Sequence, residues 1–147
     1  MDPERHRLLG IYLNDHLAGA TAGVGRARMV RQAAEGTEFA VPLAGICREI
    51  EEDRATLTTI MDDLGVGRSR IKPALGDLGE RIGRLKPNGH LRGRSPLGRL
   101  IDLEVLLLGI TGKLRLWRLL SELLDGETEA DLPALMTRAE AQRTTVE

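Results

Sequence analysis

Residues 39–65, FAVPLAGICREIEEDRATLTTIMDDLG, carry the strictest seven-residue pattern in the chain. Steps of four and three through Phe39, Leu43, Ile46, Ile50, Asp53, Leu57, Ile60 and Leu64 lay one apolar stripe along a helix face. Asp53 is the single break in that stripe. An unpaired charge in a hydrophobic seam costs several kcal/mol, so this carboxylate needs a partner from another helix or must keep its proton. Pro42 falls in the opening turn, where a missing N–H is tolerated, and Gly65 is a C-terminal stop; the pattern predicts a helix over residues 40–64.

The same spacing extends outward in both directions. Before it, Leu9, Leu13, His16, Ala20, Gly23, Ala27, Val30 and Ala34 form the seam of a helix over 3–34, ended by Gly36. Between Ala18 and Gly25 nearly every residue is small, which predicts close approach of a neighbouring helix or of a second copy of the chain. After it, Ile71, Leu75, Leu78, Ile82 and Leu85 mark a helix over 70–85. Ser95 and Pro96 are a cap and first turn for a helix over 96–124, with Leu100, Leu103, Leu107, Ile110, Leu114, Trp117 and Leu124 inside. The run Leu103 to Ile110 is apolar almost all round except at Glu104, so this helix is expected to be the most buried. Asp131 caps a short tail helix over 131–142 that docks through Leu132, Leu135 and Met136. No segment alternates like a strand. The expected fold is all-α: one domain, an antiparallel four-helix bundle with a short fifth helix at its C-terminal end.

Composition narrows the function classes. At 147 residues the chain is long enough to bury a core without disulfides or a structural metal. Aromatics are only 2% of it, which disfavours base-stacking recognition of nucleic acid, and a net charge of -1 supplies no global field toward nucleic acid or an anionic membrane. Cys47 is the only cysteine, so no internal disulfide and no cysteine-based zinc or iron–sulfur cage is expected. Cytoplasmic residence is the expectation. No stretch approaches the roughly 20 apolar residues that span a bilayer.

In an up-down-up-down bundle, a rise of about 1.5 Å per residue puts His16 about 18 Å, Asp53 about 17 Å and Glu104 about 14 Å above the end where the first helix begins. His16, Asp53, Glu104 and, one turn from Asp53, Glu49 are therefore expected to form one polar layer across the core. Two readings fit such a layer. In one, hydrogen bonds satisfy it and it sets the register of the helices. In the other, carboxylates and an imidazole from three helices bind a divalent metal ion such as iron, manganese or zinc.

The segments Tyr12-Leu13-Asn14-Asp15-His16-Leu17-Ala18 and Glu49-Ile50-Glu51-Glu52-Asp53-Arg54-Ala55-Thr56-Leu57, the latter leading to Leu64-Gly65, resemble a ferritin-like protein. The likeness covers residues 4 to 65, with Glu104 as a further correspondence. It implies a four-helix bundle with metal-binding carboxylates inside. Both Glu-x-x-His pairs of the di-iron members are absent, and the join between the second and third helices is short. The likeness therefore implies a degenerate member that keeps the bundle and part of the polar layer.

A second candidate site is basic. Arg84, Lys86, Arg92, Arg94 and Arg99 stand with no acid among them, and the loop leads into the N-terminus of the helix that begins at Ser95 and Pro96. Arg92, Arg94, Ser95 and Arg99 are the residues expected to hold an anion or an acidic protein partner there, and a solvated loop is the competing reading. No P-loop spacing and no GKS or GKT tripeptide occurs. Together these features predict a non-catalytic interaction or structural bundle, with a metal-carboxylate protein as the alternative and a homodimer as one partner state.

Overall fold

A computed structural model describes residues 2–68, 96–124 and 128–147, and those residues are helical with no strand among them. The described residues form four helices: α1 (Pro3–Ala33), α2 (Ala40–Asp63), α3 (Pro96–Leu124) and α4 (Leu132–Val146). The helix expected over 70–85 and most of the basic loop lie outside the described residues. No described helix is long and apolar enough to cross a membrane.

Local chemistry accounts for the ends. Asp2 accepts a hydrogen bond from the Arg5 N–H at 3.0 Å with Pro3 following, and Asp131 accepts from the Ala134 N–H at 2.9 Å with Pro133 in the first turn. Gly36 and Gly65 end α1 and α2 at φ +78° and +65°, a region that penalises any Cβ. Gly65→Ala is expected to cost about 1 kcal/mol through that strain, because a Cβ there meets no atom within 4 Å; a urea titration checks it. The tail helix runs to Val146, further than the sequence pattern predicts, and Val146 packs against the cluster of Val24, Ile46 and Ile110.

Residues of α1 and α2 pair in opposite order. Gly10 faces Val66, Asn14 Nδ2 donates to the Gly67 carbonyl at 3.1 Å, and Arg54 Nε donates to Thr21 Oγ1 at 3.0 Å. At the other end of α1, Arg26 pairs with Asp102 of α3. No described helix comes close to the glycines of the Ala18 to Gly25 stretch: a Cβ on Gly19, Gly23 or Gly25 would meet nothing within 4 Å among the described residues.

Buried side chains fall into two clusters. One gathers Leu9, Leu13, Leu57, Ile60, Met61, Trp117, Leu120, Leu124, Leu132 and Leu135, and the other Val24, Ala27, Val30, Ile46, Cys47, Ile50, Leu106 and Ile110. Trp117 is wholly enclosed, and its indole N–H has no hydrogen-bond partner among the described residues. Cys47 is buried as a small apolar side chain, and burial, followed by the Glu51 charge, pushes its thiol pKa up.

The expectation that α3 is the most buried helix is corrected. Its inner line runs through Leu106, Ile110, Leu114, Trp117, Leu120 and Leu124, while Leu97, Leu100 and Leu108 are 66%, 53% and 71% exposed. A helix that is apolar nearly all round has no unique inner face in sequence; its neighbours choose one. Phe39, first in the α2 stripe, is also exposed.

Candidate functional site: a buried charge layer

Along α2 the apolar clusters part between Ile50 and Leu57, and along α3 between Ile110 and Leu114. Asp53 and Lys113 occupy those two gaps. The Asp53 side chain is 2% exposed and that of Lys113 13%. Lys113 Nζ donates to Asp53 Oδ2, and Arg138 Nη2 of α4 donates to Asp53 Oδ1, so each carboxylate oxygen is held by a cation from a different helix. The predicted need for a partner from another helix is met twice over.

The layer continues beyond that pair. Lys113 Nζ also donates to Gln142 Oε1, and Gln142 Nε2 donates to Glu49 Oε2 at 2.8 Å. Arg138 Nη1 donates to Glu52 Oε2 at 3.0 Å. Gln142, 1% exposed, thus uses both ends of its amide, accepting from the ammonium and donating to the carboxylate, which fixes its orientation. Every contact between layer members joins different helices, so the layer measures how α2, α3 and α4 sit against one another. Burial is the largest influence on Lys113 and drives its pKa down; the Asp53 charge and hydrogen bond oppose that shift, and the Arg138 charge adds to it.

Two expected members are elsewhere. Glu104 is exposed on the outer face of α3, on the side of Ile101 and Leu108. His16 is half-buried against Tyr12, one turn away on α1, with ring centroids 4.5 Å apart and planes at 60°. The height estimate failed because it set the end of α2 level with the start of α1. The Arg54–Thr21 contact puts Asp53 level with Ala22, so His16 lies about 10 Å lower along the bundle. The first turns of α1 overhang the end of α2. Glu49 does join the layer, through Gln142 rather than through a metal or a histidine.

Of the four residues expected to hold a metal ion, Asp53 and Glu49 belong to this layer, and His16 and Glu104 do not. Among the described residues, no group of three or more His, Cys, Asp or Glu side chains could hold a metal ion. The oxygens of Asp53 face an ammonium and a guanidinium, and two cations repel a third. Of the anion site, Arg92, Arg94 and Ser95 lie outside the described residues, and Arg99 is exposed in the first turns of α3.

Lys113, Arg138 and Gln142 are the residues that sequence reasoning missed. Gln142 was findable: steps of three and four from Leu132 through Leu135 and Ala139 arrive at it, marking a polar residue at a core position as clearly as Asp53. Lys113 follows Ile110 by three, on the same face. Arg138 had no such signal, since it borders the stripe.

No family model, curated protein or solved structure matches the chain. The side chains therefore carry the functional reading.

His16 makes one testable contribution to stability. Burial lowers its pKa below 6.5, and the Asp15 charge opposes this. With a folded-state pKa below the unfolded value, the stability from keeping the ring neutral is present above about pH 6.5 and lost as the pH falls through the folded pKa. Urea unfolding at pH 7.5 and 5.5 is expected to show a loss of stability on acidification that His16→Phe reduces.

Proposed function

We propose that the protein is a non-catalytic structural or interaction bundle, ferritin-like in build, whose buried charge layer specifies how its helices dock. The observation that carries this reading is the saturation of Asp53: a carboxylate held on both oxygens by cations from two other helices is spent on structure, with neither a free base nor an open ligand position. A degenerate ferritin-like member, antiparallel in its helices and keeping a polar layer without the Glu-x-x-His pairs, fits that reading. The setting proposed is the cytoplasm. Partner contact, by a second copy or by an acidic protein, is proposed for the open small-residue strip of α1, which the layer does not use, and for the basic loop ending at Arg99.

Buried ionic groups in some bundles are retained because they specify one packing rather than because they add stability. The variant Asp53→Leu, Lys113→Met, Arg138→Leu removes Asp53 and both of its cations together and keeps that volume apolar. It is expected to melt at or above the temperature of the parent while losing dispersion and sharpness in its amide NMR spectrum. A spectrum as sharp as the parent's would overturn the specifying role. Stoichiometric iron, manganese or zinc after mild purification, lost in Asp53→Ala, Glu104→Ala, would replace this reading with the metal-carboxylate one.

A further inference from the structure

A cavity of about 290 Å³ opens at the end of the bundle away from the α1 N-terminus, where the end of α1, the start of α2, the start of α3 and the end of α4 converge. Val30, Ala34, Phe39, Leu43, Leu103 and Val146 make its wall apolar. The polar groups around it are nearly all committed. Thr37 and Thr145 hydroxyls donate to the carbonyls of Ala34 and Ala141, Asp102 is paired with Arg26, and Glu147 lies 3.5 Å from Arg143. Arg99 is the exception. It lines the cavity and its side chain makes no hydrogen bond or ion pair among the described residues.

Two further features favour an occupant with a negative end. Arg99 sits in the first turns of α3, where the helix dipole already favours an anion and a cation is out of place. Phe39 occupies the N-cap of α2, a position that prefers Ser, Thr, Asp or Asn; it makes no side-chain cap and is 58% exposed. An aromatic that neither caps nor packs contributes little to the free fold, whereas an apolar ligand in the cavity would cover it. A half-open apolar space in which Arg99 is the one charged side chain without a partner among the described residues suits a small molecule with an apolar body and a negative end.

We propose that this cavity binds a single-chain aliphatic carboxylate, with the alkyl chain against Phe39, Leu43 and Leu103 and the carboxylate on Arg99. The proposal is independent of the charge layer, which lies deeper in the bundle. The test is calorimetric titration of the full chain with decanoate below its micelle-forming concentration, with decylammonium and decanol as comparisons. Saturable one-to-one binding of decanoate is expected, at least tenfold tighter than decylammonium. Arg99→Glu, which alters an exposed side chain and leaves the core untouched, is expected to weaken decanoate at least tenfold and leave decanol unchanged. Val146→Trp, which fills the cavity from the end of α4, is expected to weaken both. Absence of saturable decanoate binding, equal affinity for decylammonium, or wild-type affinity in Arg99→Glu would each overturn the proposal.

Discussion

Asp53→Ala is expected to lose about 3–5 kcal/mol of unfolding free energy, the range for breaking a buried ion pair from one side. Among the described residues, the carboxylate is the only group that touches both cations of the layer, so its removal leaves Lys113 and Arg138 facing each other with their shared counter-charge gone. Glu52 still pairs with Arg138 at 3.0 Å, but its side chain is 52% exposed and compensates weakly. Lys113 suffers most. Its remaining partner is the neutral Gln142 amide, and an ammonium already penalised by burial has little reason to stay charged. The single tryptophan, Trp117, is enclosed beside this layer and reports the unfolding transition by fluorescence. Restoring neutrality should recover much of the loss: Asp53→Ala with Lys113→Met is expected to be more stable than Asp53→Ala alone. A loss below about 1 kcal/mol in the single variant would mean that water enters the layer and screens it.

Leu120→Ala is expected to cost about 2–5 kcal/mol, and Leu100→Ala, on the same helix, less than about 0.5 kcal/mol. Leu120 has no exposed surface and packs in the larger cluster with Trp117 and Leu124, so truncation leaves a space that its neighbours only partly fill. Leu100 is 53% exposed, and truncating it removes little that was buried. Urea unfolding of the two variants under one condition decides which line of α3 faces inward. Similar losses at both positions would put Leu100 back in the core, where the sequence pattern alone expects it.

These positions also separate what was legible in the chain from what was not. The α2 stripe read correctly from Leu43 to Leu64, including the burial of Asp53, because one polar residue among regularly spaced aliphatics leaves the helix a single inward face. The stops at Gly36 and Gly65 and the cap at Asp131 were legible for a similar reason: each depends on atoms within one turn. α3 was misread at Leu100 because its apolar residues ring the helix.

Which charges meet could not be counted out along the chain. The depth of His16 relative to Asp53 depends on how far α1 overhangs α2, and that offset is set by the contacts of Gly10 with Val66 and of Thr21 with Arg54. Hydrophobic periodicity states that Asp53 points inward. It carries no information about longitudinal stagger, and a shift of about two turns exchanges one set of neighbours for another. Lys113 and Arg138 reach Asp53 over long side chains from helices far away in sequence, so their pairing exists only after α3 and α4 have docked. Local spacing thus determined the helices and the face each one buries, while packing between helices selected the partners of the buried charge.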